Sequence, residues 1–556
     1  MPSLFVNPGF QLQAGVPLAT VVSKQNYCTS HAGMFIENSA DPQDTTAADM
    51  NQAFAAMATA LAQGDARSIA FFFHGGLVSE SSGYTTAQAL VGPYGGTHTP
   101  AVSQPGHAYP YFFLYETGIL TTLQDIAPRV FSWPFFQQLA ALIAPSVGRA
   151  VPGVHAQLLS YKDGALQGVV PQAQVEAIIR DLQAEVAADP VLNDEFERIA
   201  AFENVRAHVA ATAAASGSAT AVAQLEANVA DLSPAQYMDA KARAQVAADV
   251  AQGSIGRVRM QSAAAKPVAL TFPNTAQTML AVGAIAERII ERYRNGTQHS
   301  PGCTITEEIV RQWFLKDLGW AAWDDMKAEV DLAFGENGVA SKAIDLLDET
   351  FWSTGVFPRI VLIGHSEGAY FVCKWLQDFE RRYAAKYTDV KFDLIFLAAA
   401  CRTDLFASTL ASAGGRIQRF RSFGMNDAKE GSEPLIQIAG SPLSALNPGL
   451  ALIYPSSLLY YISGVLEHDS AGNSFVDSPL VGMQRYFMGT WPYDTADRSP
   501  DVAQVDAFKT GQSVYSPTDP SAPLGRRSQA VKHGVFPTDD ETLQSCCYLL
   551  ATTQWA

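Results

Sequence analysis

Positive charge is scarce in this chain. Of its 556 residues, 37 are lysine or arginine against 54 aspartate or glutamate, a formal net charge of −17. That balance argues against the basic face that nucleic acid or an anionic membrane requires. Long apolar runs are missing too: no stretch approaches the roughly 18–20 residues of a membrane span. Met1 to Gly15 has neither the basic start nor the continuous apolar core of a secretory signal, so a cytoplasmic protein is expected. The six cysteines (Cys28, Cys303, Cys373, Cys401, Cys546 and Cys547) are scattered, the only close pair is vicinal, and none has zinc-ligand spacing. They read as buried free thiols of a reducing compartment. G-x-x-x-x-G-K-[ST] and H-E-x-x-H are absent, and no G-x-G-x-x-G opens a helix after a strand. Neither a nucleotide cofactor nor a metal is therefore expected.

Apolar residues are plentiful. With 48% hydrophobic and 16% charged residues, the chain can bury a sizeable core. Thr45 to Ala62 reads as a helix, with Met50, Phe54, Met57 and Leu61 at spacings of three and four. Ser68 to Phe73 and Tyr109 to Tyr115 are dense apolar runs, as strands buried on both faces of a parallel sheet require. Gly83 to Gly106 between them reads as a Gly-rich loop. From about 120 to 345 alanine and helical periods dominate: Val175, Ile178, Ile179, Leu182 and Val186 share one face, and Met279, Val282, Ile285, Ala286 and Ile289 another. The parallel-strand pattern returns at Arg359–Ile363 and Phe392–Ala398. A third run, Arg416–Phe423, is more polar and is placed nearer an edge. Strands alternating with helices predict a doubly wound, mostly parallel α/β sheet.

One stretch carries the chemistry. The strand Arg359–Ile363 runs into Gly364-His365-Ser366-Glu367-Gly368, and a helix follows with Ala369, Val372, Cys373, Leu376 and Phe379 in period. Strand, tight turn, helix is the context in which G-x-S-x-G works. The turn lifts a serine hydroxyl above the sheet, and the helix start sets N–H groups beside it. Two small glycines let strand and helix pass closely. The motif resembles the nucleophile elbow of the α/β-hydrolase superfamily.

The resemblance covers about 68–118 and 320–550 and implies an ordered set of further parts. Phe71-Phe-Phe-His74-Gly75-Gly76-Leu77 looks like the His-Gly oxyanion loop of esterases and lipases. It implies backbone donors among Gly75, Gly76 and Leu77, together with Glu367. The acid is expected after the third strand, in Gly424-Met425-Asn426-Asp427. Asp427 is the first choice, Asp404 the second and Glu430 the third. Of the two later histidines, His533 sits in a short loop before a helix start marked by Thr538 and Glu541, whereas His468 lies in a polar turn. Ser366, Asp427 and His533 would then form a Ser-His-Asp triad without a cofactor.

Thr117 and Arg359 lie about 240 residues apart, far beyond an ordinary connection. Trp320 to Phe351 can serve as the crossover, leaving a mainly helical insertion read as a cap or lid. The expected division is 1–120 and 320–556 for the two parts of the hydrolase core and 121–319 for the insertion. Phe131, Trp133, Phe135 and Phe136 are candidates for a hydrophobic pocket or for core, and Tyr115 and Glu116 for substrate contact. The expected activity is cleavage of a carboxylic ester in a small-molecule or lipid-like acyl substrate. An amidase or peptidase on the same fold, or a non-catalytic binding relative, stands as the alternative.

Overall fold

The computed structural model describes residues 4–6, 22–76, 80–97, 102, 105–115, 134–150, 172–188, 275–313, 320–438, 452–467 and 477–555, a few positions within these stretches excepted. Two compact units emerge. One comprises Met1–Phe5, Thr122–Phe314 and Ile436–Ile453, and the other Val6–Thr121, Leu315–Leu435 and Tyr454–Ala556.

The larger unit is built on a seven-stranded sheet. Its strands are β1 (Tyr27–Ser30), β2 (Ser68–Phe73), β3 (Ala108–Tyr115), β4 (Ile360–His365), β5 (Phe392–Leu397), β6 (Ile417–Met425) and β7 (Ser513–Ser516). They lie in the order β7-β6-β5-β4-β2-β3-β1, and every pairing is parallel. An all-parallel sheet buries both faces, hence the unbroken apolar runs. On one face Ile69, Phe71 and Phe73 of β2 and Leu362 of β4 pack with four helices. These are α1 (Ala47–Gln63), α4 (Val339–Thr350), α5 (Gly368–Tyr383) and α6 (Thr403–Ala413). On the other face Ala70, Phe72, Val361 and Ile363 pack with α2 (Glu80–Gly95) and α8 (Asp540–Ala551). Two further helices, α3 (Trp320–Ala333) and α7 (Pro500–Lys509), belong to this unit.

Local signals explain several boundaries. Thr46 caps α1 reciprocally with Asp49, and left-handed Gly64 ends it. α8 starts one residue later than Thr538 suggests, because Asp539 accepts the Thr542 N–H and takes the cap. The stretch read as a Gly-rich loop holds α2 instead. Burial of Ala87, Leu90, Val91 and Tyr94 outweighs the weak propensity of Gly83, Gly92 and Pro93. β6 lies near the edge as its polarity suggests, one strand in, with β7 pairing outside it. Its polar character comes from Arg419, which reaches Asp393, and from the fully buried Arg421.

The smaller unit contains helices Pro134–Ala150, Gln172–Ala188, Thr275–Asn295 and Pro301–Trp313. Leu139, Ile143, Val175, Leu182, Val282, Ile285 and Ile289 are buried there at helical spacing. Arg292 and Arg311 pair with the buried carboxylates of Glu307 and Glu308. Phe131, Trp133 and the side chains of Phe135 and Phe136 lie outside the described residues, as do Glu116 and His468. No described helix is long and apolar enough to cross a membrane. All six cysteines are buried and free.

Candidate active site

β4 is central in the sheet and ends in the serine turn. Ser366 itself adopts φ +54°, a left-handed conformation that costs a non-glycine residue about 1 kcal/mol or more. Two bonds hold it there. Its N–H donates to Leu397 O at 2.8 Å, and its carbonyl accepts the Ala400 N–H at 2.9 Å. The end of β5 thus anchors the turn. The flanking glycines are sterically required. A Cβ on Gly364 would lie 2.6 Å from Gly368 O, and one on Gly368 would lie 2.1 Å from Phe73 O.

The Ser366 hydroxyl meets His533, 167 residues onward, with Nε2 2.8 Å from Oγ. His533 opens a short 3-10 turn, His533–Val535, between β7 and α8. The elbow also holds this turn, through a bond between His365 Nε2 and the His533 carbonyl at 3.1 Å. Burial pushes His533 well below the usual imidazole range, with His365 adding to the effect; His365 itself is lowered to about 4, chiefly by burial. Both rings are therefore neutral at pH 7, and a neutral His533 can accept a proton. Ser366 and His533 are 3% and 2% exposed, so the pair is shielded from water.

The His-Gly loop lies alongside. A Cβ on Gly75 would sit 2.9 Å from Ser366 Cβ and 3.5 Å from its Oγ. Only glycine brings backbone this close to the hydroxyl. Gly76 follows, and its missing Cβ faces Met326 of α3, whose Sδ would be 1.7 Å away. Leu77 lies outside the described residues. Glu367 stands at the start of α5, where a backbone N–H has no intrahelical acceptor. His74 is structural. Its Nδ1 donates to Gly75 O at 2.8 Å, its Nε2 accepts the Tyr115 N–H at 3.0 Å, and burial lowers it to about 4.

Asp427 occupies the first turn of a short helix after β6. Its carboxylate accepts the Tyr460 hydroxyl at 2.5 Å, its N–H donates to Gln484 Oε1, and no hydrogen bond joins it to His533. Asp404 forks with Arg402 at the start of α6. Glu430 is buried, accepts from the Ser457 hydroxyl, and is held well above the usual carboxylate range by burial. The carboxylate that does touch His533 is Glu433, whose two oxygens accept the His533 N–H at 3.0 and 3.1 Å. Nothing in the sequence separates Glu433 from the other acids of that loop.

Two further groups surround the turn. Tyr115 directs its hydroxyl to His74 O (2.5 Å) and lies 2.7 Å from Glu367 Oε2, a pairing across 252 residues. Burial of Tyr115 makes it a packing and hydrogen-bonding residue. On α3, Trp323 Nε1 donates to Glu467 Oε1 at 2.7 Å, and Lys327 pairs with Glu467 at 3.1 Å. Burial lowers Lys327, but Glu467 and Asp324 outweigh it and raise the ammonium above its usual range. These contacts fasten the helix that carries Met326 over Gly76.

No family model, curated protein or solved structure matches this chain.

Proposed function

We propose that the protein is a serine hydrolase that cleaves carboxylic esters through an acyl-enzyme on Ser366. The observation that carries the reading is the 2.8 Å contact between Ser366 Oγ and His533 Nε2, made on a strained strand–turn–helix with the Gly75 backbone against the hydroxyl. In this mechanism neutral His533 takes the Ser366 proton as Oγ attacks the acyl carbon, then returns a proton to the leaving alkoxide. Water, deprotonated by the same imidazole, releases the acid. The N–H groups of Glu367 and of the Gly75–Gly76 loop are the proposed oxyanion donors. For the third group the sequence offers Asp427, whose carboxylate Tyr460 engages.

The order of parts along the chain supports the resemblance to α/β-hydrolases: His-Gly loop after β2, serine after β4, acidic loop after β6, histidine after β7. The helical insertion enters between β3 and β4, and chain order is the ground for proposing it as a cap.

The test is labelling with a fluorophosphonate and location of the adduct by mass spectrometry. Stoichiometric modification of Ser366, slowed at least a hundredfold in His533→Ala, is expected. An adduct on a different residue, or equal rates in the variant, refutes the proposal.

A further inference from the structure

A histidine that receives a proton on Nε2 must hold its own proton on Nδ1. In this protein His533 Nδ1 is buried and has no hydrogen-bond partner among the described residues. A buried donor left unpaired is costly, so a partner belongs there. The acids singled out from the sequence bond to other groups, and none is hydrogen-bonded to His533 among the described residues. Asp427 accepts from Tyr460, Asp404 forks with Arg402, and Glu430 accepts from Ser457.

Glu433 is placed differently. Its carboxylate is centred on the backbone N–H of His533, with both oxygens within 3.1 Å of that nitrogen. The backbone nitrogen and Nδ1 belong to one residue and are joined through Cα, Cβ and Cγ. Rotation of the Glu433 side chain would let one oxygen keep the N–H while the other takes Nδ1–H, with Nε2 left on Ser366 Oγ. Taking the Ser366–His533 reading as its basis, we infer that Glu433, rather than Asp427, is the carboxylate that positions His533, holding the backbone N–H and Nδ1–H together. Two bonds to one residue fix both the place of the imidazole and its tautomer. Nε2 is then left bare toward Ser366 Oγ, and the imidazolium formed during attack is balanced by the carboxylate.

Surroundings agree with this role. Glu433 is half-buried, and burial pushes its carboxyl up to about 7, against the opposing effects of the His533 N–H and Lys532. The charged or titratable groups facing it are His533, Lys532 and Glu430. Once its second oxygen receives Nδ1–H, the anion gains a further donor, which lowers its pKa and raises that of His533.

The experiment compares full-length wild type, Glu433→Gln, Glu433→Asp and Asp427→Asn. Fluorophosphonate labelling rates at Ser366 are measured from pH 5.5 to 9, with thermal unfolding of each variant as a control. Glu433→Gln should slow labelling roughly a hundred- to ten-thousand-fold, because an amide oxygen selects the same bonds without the charge and an amide nitrogen selects the wrong tautomer. Its pH profile should lose the inflection set by the coupled Glu433–His533 pair. Glu433→Asp keeps the charge on a shorter arm and should recover part of the rate with the wild-type pH profile. Asp427→Asn should give the smaller loss. A Glu433→Gln rate within about threefold of wild type, or the larger loss in Asp427→Asn, overturns the assignment. If Glu433→Gln does not fold, a Glu433→Asp variant with wild-type rates also overturns it. Wild type that leaves Ser366 unlabelled removes the underlying serine-hydrolase reading, a different failure that takes this assignment with it.

Discussion

The side chain that follows the proposed nucleophile should be a neutral acid, and Glu367→Gln tests this. The Tyr115 hydroxyl has one proton but two oxygen neighbours, His74 O and Glu367 Oε2. A carbonyl only accepts, so while Tyr115 gives its proton to His74 the contact with Glu367 is a hydrogen bond only if the carboxyl supplies the proton. That requires a protonated carboxyl. Burial pushes Glu367 from an ordinary 4.5 up to about 8; Glu329 and Asp331 add to the rise, while Tyr115 and Lys327 oppose it. The sign follows from proton binding. Between about pH 4.5 and 8 the folded chain holds a proton that the unfolded chain has released, so stability falls as pH rises through that window. The loss is about 1.4 kcal/mol per pH unit, of the order of 3 kcal/mol between pH 5.5 and 8. Glutamine supplies the same donor from an NH₂ group and has nothing to ionise. Urea unfolding should therefore give wild type and Glu367→Gln similar stability near pH 4.5, with the variant gaining steadily toward pH 8. The Ser366 labelling rate of wild type should also fall above pH 8, where the new anion opposes an oxyanion beside it, and that of the variant should not. Parallel stability curves for the two proteins would refute the neutral-acid argument.

Two further substitutions probe the walls of the site. Gly368→Ala places a methyl 2.1 Å from Phe73 O and 3.0 Å from His74 O, so strand and helix must separate. A loss of at least about 3 kcal/mol is expected by urea unfolding, with labelling at Ser366 abolished, and a stable, reactive variant would contradict the packing described. Met326→Ala removes the thioether that faces Gly76 from α3. It should cost about 2–5 kcal/mol as a buried truncation. It should also raise labelling by bulky phosphonates relative to small ones, and an unchanged ratio would show that Met326 does not bound the space beside Ser366.

The parts legible in the sequence share a local cause. Unbroken apolar runs at 68–73 and 360–363 mark strands covered on two faces, and β2 and β4 lie there, side by side. Glycines at 364 and 368 announce the tight turn, because close backbone approach leaves only that residue type. His533 was legible from its place between a strand and a helix start, although the strand is farther upstream, at Ser513–Ser516. Helix α2 was missed because its weak formers outweigh its buried face in any local reading. Helices α3 and α4 read as a single crossover in the sequence; α4 packs against the sheet with α1 and α5, whereas α3 brings Met326 to Gly76.

The sequence by itself determined the α/β class and the serine turn, because strand burial and glycine sterics act within a few residues. Only the tertiary structure decided which acid meets His533, that Tyr115 meets Glu367 across 252 residues, and that Met326 covers Gly76. Asp427 and Glu433 are equivalent as loop carboxylates. Their difference arises from the path of the backbone after β6, which turns one toward Tyr460 and the other toward the His533 N–H. Contacts between residues so far apart in the chain are set by packing of whole elements, and no local preference encodes them.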